Sequence, residues 1–388
     1  MNGALGLAIA HARHHRGRVV LLSSMVFLSM ILPLGTNAIS SRFATEVRSR
    51  ASDTPLTIGA RGSRFDLVMA CLYFRNARAD DIALRDVRPL ASAGNATIIP
   101  LRIGHSARGV PIVATAPDYH QFRDHGLRSG HLPQRVGEVV VGAAAARRLG
   151  VSVDDLLGSD PSGMFDIART ATLQLRVVGV LTRTHTPDDD VLFTDLRTAW
   201  VLEGFGHAHA EAAVVPESLK VQSGGSAPVL SEALALDASM APKDAARFHL
   251  HASEDSLPLS GAILAPDSEK TTSLLKARIN ASEGMQAVVP LQVVEEMLTH
   301  VGRVQALVNA ISMVLAASTI AALVIVARLA ATIRQRETLT LVRIGASGRF
   351  MASVFLWEYA IVLGLGGAAT LVAWGVVVAV GADLVKLL

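Results

Sequence analysis

Residues 304–327 read VQALVNAISMVLAASTIAALVIVA, closed on either side by Arg303 and Arg328. The run carries no charge and exceeds the ~20 apolar residues that a helix needs to cross a bilayer. It also lacks the charged face that a soluble amphipathic helix presents to water. Two further segments pass the same test. One runs from Val19 to Ile39, interrupted only by small polar residues and Pro33. The other runs from Met351 to Gly381, with Glu358 as its only charge. The first has a competing reading as a signal peptide, because His11 to Arg18 is a basic leader and Thr36-Asn37-Ala38 is a passable cleavage site. Its long leader and full spanning length favour an uncleaved anchor.

Composition agrees. Of 388 residues, 51% are hydrophobic and 18% charged, against roughly a quarter charged in soluble domains, and the mean hydropathy is +0.40. The net charge of +3 is mildly basic. No Lys/Arg tract is interleaved with aromatics, which argues against a nucleic-acid partner. Cys71 is the only cysteine, so no intrachain disulfide can form, and beside Met69 and Leu72 it reads as a small buried apolar residue.

Orientation follows from the basic residues near the span ends. Arg328, Arg334, Arg336, Arg343 and Arg349 follow the second span, whereas Arg303 alone precedes it. The expected layout is a cytoplasmic N-terminus at 1–18 and a first span at 19–39. An extracytoplasmic domain at 40–303 and a second span at 304–327 follow. A cytoplasmic loop at 328–350, a third span at 351–381 and a tail at 382–388 complete it.

The outer domain is long enough for a sizeable core and alternates strand and helix signals, an α+β pattern. Expected strands are Leu56–Gly59, Thr97–Ile103, Val110–Thr115, Glu138–Val141, Leu173–Leu181 and Ala262–Leu264. Residues 104–109 read as a hairpin loop. Expected helices are Phe65–Phe74, Ala143–Leu149 with Gly150 as C-cap, and Thr271–Ile279. Residues 222–258 shift to Gly, Ser, Ala, Pro and Asp and read as a flexible or inserted stretch.

Both junctions with the membrane look helical. Ile39, Phe43 and Val47 recur every four residues, and after Pro290, a helix starter, Leu291, Val294, Leu298 and Val301 share one face. These stripes fit either two paired stalks or ordinary packing of helix ends against the domain.

The chain contains no G-x-x-x-x-G-K-[S/T] phosphate loop, G-x-S-x-G elbow, H-E-x-x-H helix or C-x-x-C pair. No catalytic, cofactor or metal residue is assigned. His207/His209 and His249/His251 have a strand spacing that suits zinc, yet no third ligand stands at a recognisable distance. Residues 332–344 read as a short cytoplasmic helix on which Arg336, Thr340 and Arg343 form a cationic stripe. Gly345 breaks it, and Ser347 is placed to cap the next helix. The spacing fits a partner-docking element and a bland basic loop equally.

The segment Arg334-Gln335-Arg336-Glu337-Thr338-Leu339-Thr340-Leu341-Val342-Arg343-Ile344-Gly345-Ala346-Ser347, followed by Glu358, resembles the core motif of MacB/FtsX-like ABC permeases. The stretches Gly137–Gly142, Arg148–Val151, Val177–Leu181 and Ile58–Ser63 are similar to the family's outer domain. The resemblance covers nearly the whole chain.

It implies a dimer, with a second copy or a paralogue, driven by a separate ATPase that supplies the ATP and Mg2+ site. A periplasmic adaptor or substrate protein would be a further partner, and the bacterial inner membrane the location. Substrates would be lipoproteins, peptides or small hydrophobic molecules. By position, Arg334 to Ser347 would form the coupling helix, and Glu358 would lie near the inner end of the third span, facing the helix bundle or the membrane–water boundary. Two departures stand out: the family's fourth span is missing, and Asp154-Asp155 sits where a Gly-Asp turn is common. The alternative from another class is a membrane-anchored sensor or scaffold whose outer domain binds a ligand or regulates a cell-wall enzyme.

Overall fold

The computed structural model describes residues 2–75, 80–92, 96–160, 174–208, 220–221, 229–230, 248–250 and 253–384. Its helices are α1 (Asn2–His14), α2 (Arg16–Ser52), α3 (Arg64–Tyr73), α4 (Leu84–Ser92), α5 (Asp118–Phe122), α6 (Ala143–Leu149), α7 (Leu196–Leu202) and α8 (Glu269–Asn280). They are completed by α9 (Pro290–Ile333), α10 (Gln335–Arg343) and α11 (Gly348–Leu384). The strands begin with β1 (Leu56–Ala60), β2 (Ile82–Ala83), β3 (Ala96–Ala107), β4 (Val110–Thr115), β5 (Leu127–Gly130), β6 (Glu138–Val141), β7 (Leu156–Gly158) and β8 (Gln174–Leu181). They continue with β9 (Leu192–Thr194), β10 (Gly206–Ala208), β11 (Lys220–Val221), β12 (Val229–Leu230), β13 (Phe248–Leu250), β14 (Pro258–Leu259), β15 (Gly261–Pro266) and β16 (Met285–Val288).

These elements form two units, a helical one from residues 1–47 and 295–388 and an α/β one from 48–294. In the helical unit, α2, α9 and α11 are long and apolar enough to cross a membrane. Their large side chains stand exposed, Met313 at 70% and Val372 at 70% among them. Such surface is unfavourable in water and suits hydrocarbon. This is a membrane protein.

The α/β unit is built on a mixed sheet ordered β16-β1-β15-β3-β4-β9-β6-β8-β5, with β7 on β8. The half from β16 to β4 is antiparallel, while β4–β9 and β6–β8 pair in parallel. One core packs α4, α7 and α8 on β1, β15 and β16 through Val87, Trp200, Leu275 and Ile279. A second packs α6 on β6 and β8 through Ala145, Val139 and Val177.

Every expected strand and helix of the outer domain has a counterpart. The hairpin differs. β3 runs on to Ala107 past an irregularity between Ile103 and His105, and the turn shrinks to Arg108 and Gly109, with φ of 48° and 73°. Two consecutive positive φ values suit the right-handed twist of a tight hairpin. The Asp160 carboxylate fixes the turn by accepting from both of their N–H groups and from Ser106. Asp154 adopts φ 79°, a conformation that glycine takes more readily than a residue with a Cβ. Most of 222–258 lies outside the described residues.

Candidate functional site

At the Arg-rich end of the helical unit the long helix α9 stops at Ile333, and Arg334 leaves the helical line with φ −88° and ψ 7°. The chain re-enters a helix at once as α10. Gly345, at φ 106°, ends it, a conformation that residues with a Cβ rarely adopt. Ser347 then caps α11 by accepting from the Phe350 N–H at 3.2 Å.

Glu358, nearly three turns into α11, is 5% exposed and holds three basic side chains. Arg334 Nη1 donates to Oε1 at 2.7 Å, His11 Nδ1 lies 2.7 Å from the same oxygen, and Arg18 Nη2 donates to Oε2 at 3.1 Å. A buried carboxylate needs such compensation. Through it, one side chain ties the end of α1, the start of α2, the root of α10 and α11 together. The sequence left Glu358 facing either the helix bundle or the membrane–water boundary; its carboxylate is buried among side chains from α1, α2 and the root of α10.

The role of the N-terminal residues was not legible. His11 to Arg18 read as a basic leader within a cytoplasmic N-terminus at 1–18, yet residues 2–14 form a helix that packs Ala4 and Ala8 against Val354, Trp357 and Ile361 of α11. The signal lay in the Ala4/Ala8 spacing, four residues apart, which marks a helix face small enough for close approach.

α10 is held at its root and open on its outer side. Arg334 is buried, Thr338 and Leu341 are half-buried, and Arg336, Leu339, Thr340, Val342, Arg343 and Ile344 are exposed. The expected Arg336/Thr340/Arg343 stripe therefore lies on the uncovered face. Glu337 belongs to α10, Ala346 is half-buried in the link, and Gly345 and Ser347 flank it.

Of the stalk residues, Ile39 and Phe43 on α2 and Leu291, Leu298 and Val301 on α9 are half-buried, while Val47 and Val294 are buried. Within the helical unit α2 and α9 are joined by polar contacts that the apolar stripes did not signal. Gln305 donates to Thr36 at 3.2 Å and to Asn309 at 3.1 Å, and Asn37 donates to Asn309 at 3.3 Å.

The α/β unit holds a second buried network, also missed. Arg50, in the last turn of α2, donates through Nη1 to Asp188 Oδ2 at 2.6 Å and through Nη2 to Oδ1 at 2.8 Å. The Tyr119 hydroxyl donates to Asp188 Oδ1 at 2.7 Å, and Thr186 donates to Oδ2 at 3.1 Å. His125 Nε2 stands 3.2 Å from Oδ2, and its Nδ1 lies 3.0 Å from His120 Nδ1. Burial pushes the Asp188 carboxyl up, but the Arg50 charge and the bonds from His125 and Arg50 override it and hold it far below the usual range. Burial, then the neighbouring His125, push His120 down to about 4. These partners are dispersed over α2, α5 and two turns, so no local spacing announces them. Cys71 is fully buried, as expected, and burial raises its thiol to about 12.

Of the histidine pairs, His207 and His249 are register partners in the β10–β13 ladder, while His209 and His251 lie outside the described residues.

No family model matches the chain and no curated protein does. Solved structures do align. The periplasmic region of MacB from Actinobacillus actinomycetemcomitans is 11% identical with a TM-score of 0.37, over 66% of this chain and 97% of that one. The extracellular domain of the noncanonic ABC-type transporter YknZ from Gram-positive bacteria is 9% identical with a TM-score of 0.34, over 60% and 98% respectively.

Proposed function

We propose that this chain is the permease subunit of an ABC transporter of the MacB/FtsX-like type. In this reading the α/β unit lies outside the cytoplasm and the N-terminus and α10 lie inside it. α10 carries the argument. A helix whose root is fixed by the Arg334–Glu358 pair, and whose outer face exposes Arg336, Arg343, Leu339 and Ile344 together, suits seating on a soluble subunit. The mixed basic and apolar face resembles the composition of docking sites more than that of a solvated loop. The sequence lacks a phosphate loop, so the nucleotide would be bound by a separate ATPase subunit. Force would pass from there through Arg334 and Glu358 to α1, α2 and α11. A second copy or a paralogue would complete the membrane part. The work done would be export or extraction of a lipoprotein, peptide or small hydrophobic molecule, with a periplasmic adaptor or substrate protein as a further partner.

The test is co-purification from detergent of the wild type against an Arg336→Glu/Arg343→Glu variant, with bound proteins identified by mass spectrometry. An ATP-binding subunit recovered with the wild type and lost from the variant is the expected result. Equal recovery of cell-wall or periplasmic proteins alone, from both, would overturn the reading in favour of an anchored scaffold.

A further inference from the structure

The loop that links α5 to β5 is closed by two histidines of its own. His120 lies in α5, and His125 stands just before Gly126, which leads into β5. Their Nδ1 atoms are 3.0 Å apart and their ring centroids 5.2 Å. The same two residues are joined along the backbone, where the His125 N–H donates to the His120 carbonyl at 2.9 Å. Both rings pack on Phe193 of β9 and on Tyr119 of α5. His120 is 6% exposed, and the His125 side chain is fully buried.

The gap between the two nitrogens leaves room for one proton. A pair with at most one charge can supply it, since one Nδ1 donates and the other accepts. Two charged rings cannot, because both Nδ1 atoms then carry a proton and two N–H groups meet head to head with no acceptor. Several charged groups surround the pair. Asp188, from the turn before β9, stands 3.2 Å from His125 Nε2. Asp188 is itself held by Arg50 of α2 and the Tyr119 hydroxyl. Arg123, after α5, donates to Thr54 at 2.7 Å and lies over the Tyr119 ring. The carboxylate is thus set against His125, whereas burial and His125 hold His120 down at about 4. His120 is therefore the ring that must leave when both would be charged.

We propose that the His120–His125 pair is an acid-sensitive clasp: a second charge on it drives His120 out to solvent and opens the α5–β5 loop while the rest of the sheet stays folded. Opening frees the approach to β5, where the Gly126 carbonyl accepts from the Thr182 N–H at 2.8 Å. The inference rests on the α/β unit by itself and not on the transporter reading.

Hydrogen exchange of the full chain in detergent tests it, read by mass spectrometry with labelling times corrected for the intrinsic rate at each pH. Opening takes up a proton, so exchange in peptides covering residues 119–127 should quicken about tenfold for each unit that pH falls from about 6.5 towards 4. The change should reverse on neutralisation, and β1 and β15 should keep their protection throughout. His120→Gln, whose amide can still donate to His125 Nδ1 but takes up no charge, should remove the pH dependence. His120→Phe, which keeps a ring on Phe193 and Tyr119, should remove it as well. A wild-type loop whose exchange does not change with pH would overturn the proposal, as would either variant showing the wild-type dependence. Equal loss of protection in β1 and β15 would also overturn it and assign ordinary acid unfolding.

Discussion

Substituting Arg50 by methionine keeps an unbranched apolar stem and removes the guanidinium that holds Asp188 through two bonds of 2.6 and 2.8 Å. Both residues are buried, Arg50 at 6% and Asp188 at 1% exposure. Removing one member of a buried pair leaves an uncompensated charge and typically costs about 3–5 kcal/mol. For a unit of this size, each kcal/mol lowers Tm by roughly 2–4 °C. Arg50→Met should therefore lower the apparent Tm of the α/β unit by about 10 °C, followed by near-UV circular dichroism of the full chain in detergent. A second substitution, Arg50→Met/Asp188→Leu, should recover much of the loss, since an apolar pair of similar volume is often no less stable than the ions.

The pH dependence has a definite sign. In the wild type Asp188 is depressed, so its contribution is present above the unfolded value near 4 and is lost as pH falls through the lower folded value. Without Arg50 burial is opposed chiefly by His125, the folded value rises, and the variant gains a proton first. The gap between variant and wild type should shrink on acidification. A single variant within about 3 °C of the wild type, or a double variant no better than the single, would refute this account of how the end of α2 is held.

Glu358→Gln leaves Arg18 and Arg334 without their shared counter-charge, so hydrogen exchange in residues 335–343 should quicken by about tenfold or more as α10 loses its anchor. His120, held at about 4 by burial, binds a proton more readily unfolded than folded, so stability should fall as pH drops from about 6.5 towards 4. A His120→Phe variant should show a flatter profile over that window. At Gly142 an added Cβ would lie 2.3 Å from the Asp188 carbonyl oxygen, so Gly142→Ala should destabilise the unit by about 1–3 kcal/mol, measured by thermal unfolding. Cys71, fully buried with its thiol at about 12, should resist maleimide at pH 7 until the chain is unfolded.

What the sequence determined by itself was whatever short-range pattern encodes. Uninterrupted apolar length defines α2, α9 and α11, because a spanning helix must satisfy its backbone internally and face hydrocarbon. Gly345 and Ser347 bracket the α10–α11 link because a positive φ and an N-cap are properties of one residue and its nearest neighbours. The resemblance to the permease motif also drew attention to Arg334 and Glu358 as separate positions.

Only the tertiary structure decided what those positions do together. The bonds between Glu358 and Arg18, His11 and Arg334 span 340, 347 and 24 residues of chain, and no periodicity relates such partners. The same holds for Arg50 with Asp188, 138 residues apart, and for α1, whose Ala4 and Ala8 face became meaningful only once α11 was found against it. Strand order was equally hidden: β1 and β15 pair across some two hundred intervening residues, because sheet pairing is chosen by which apolar faces bury one another and not by distance along the chain.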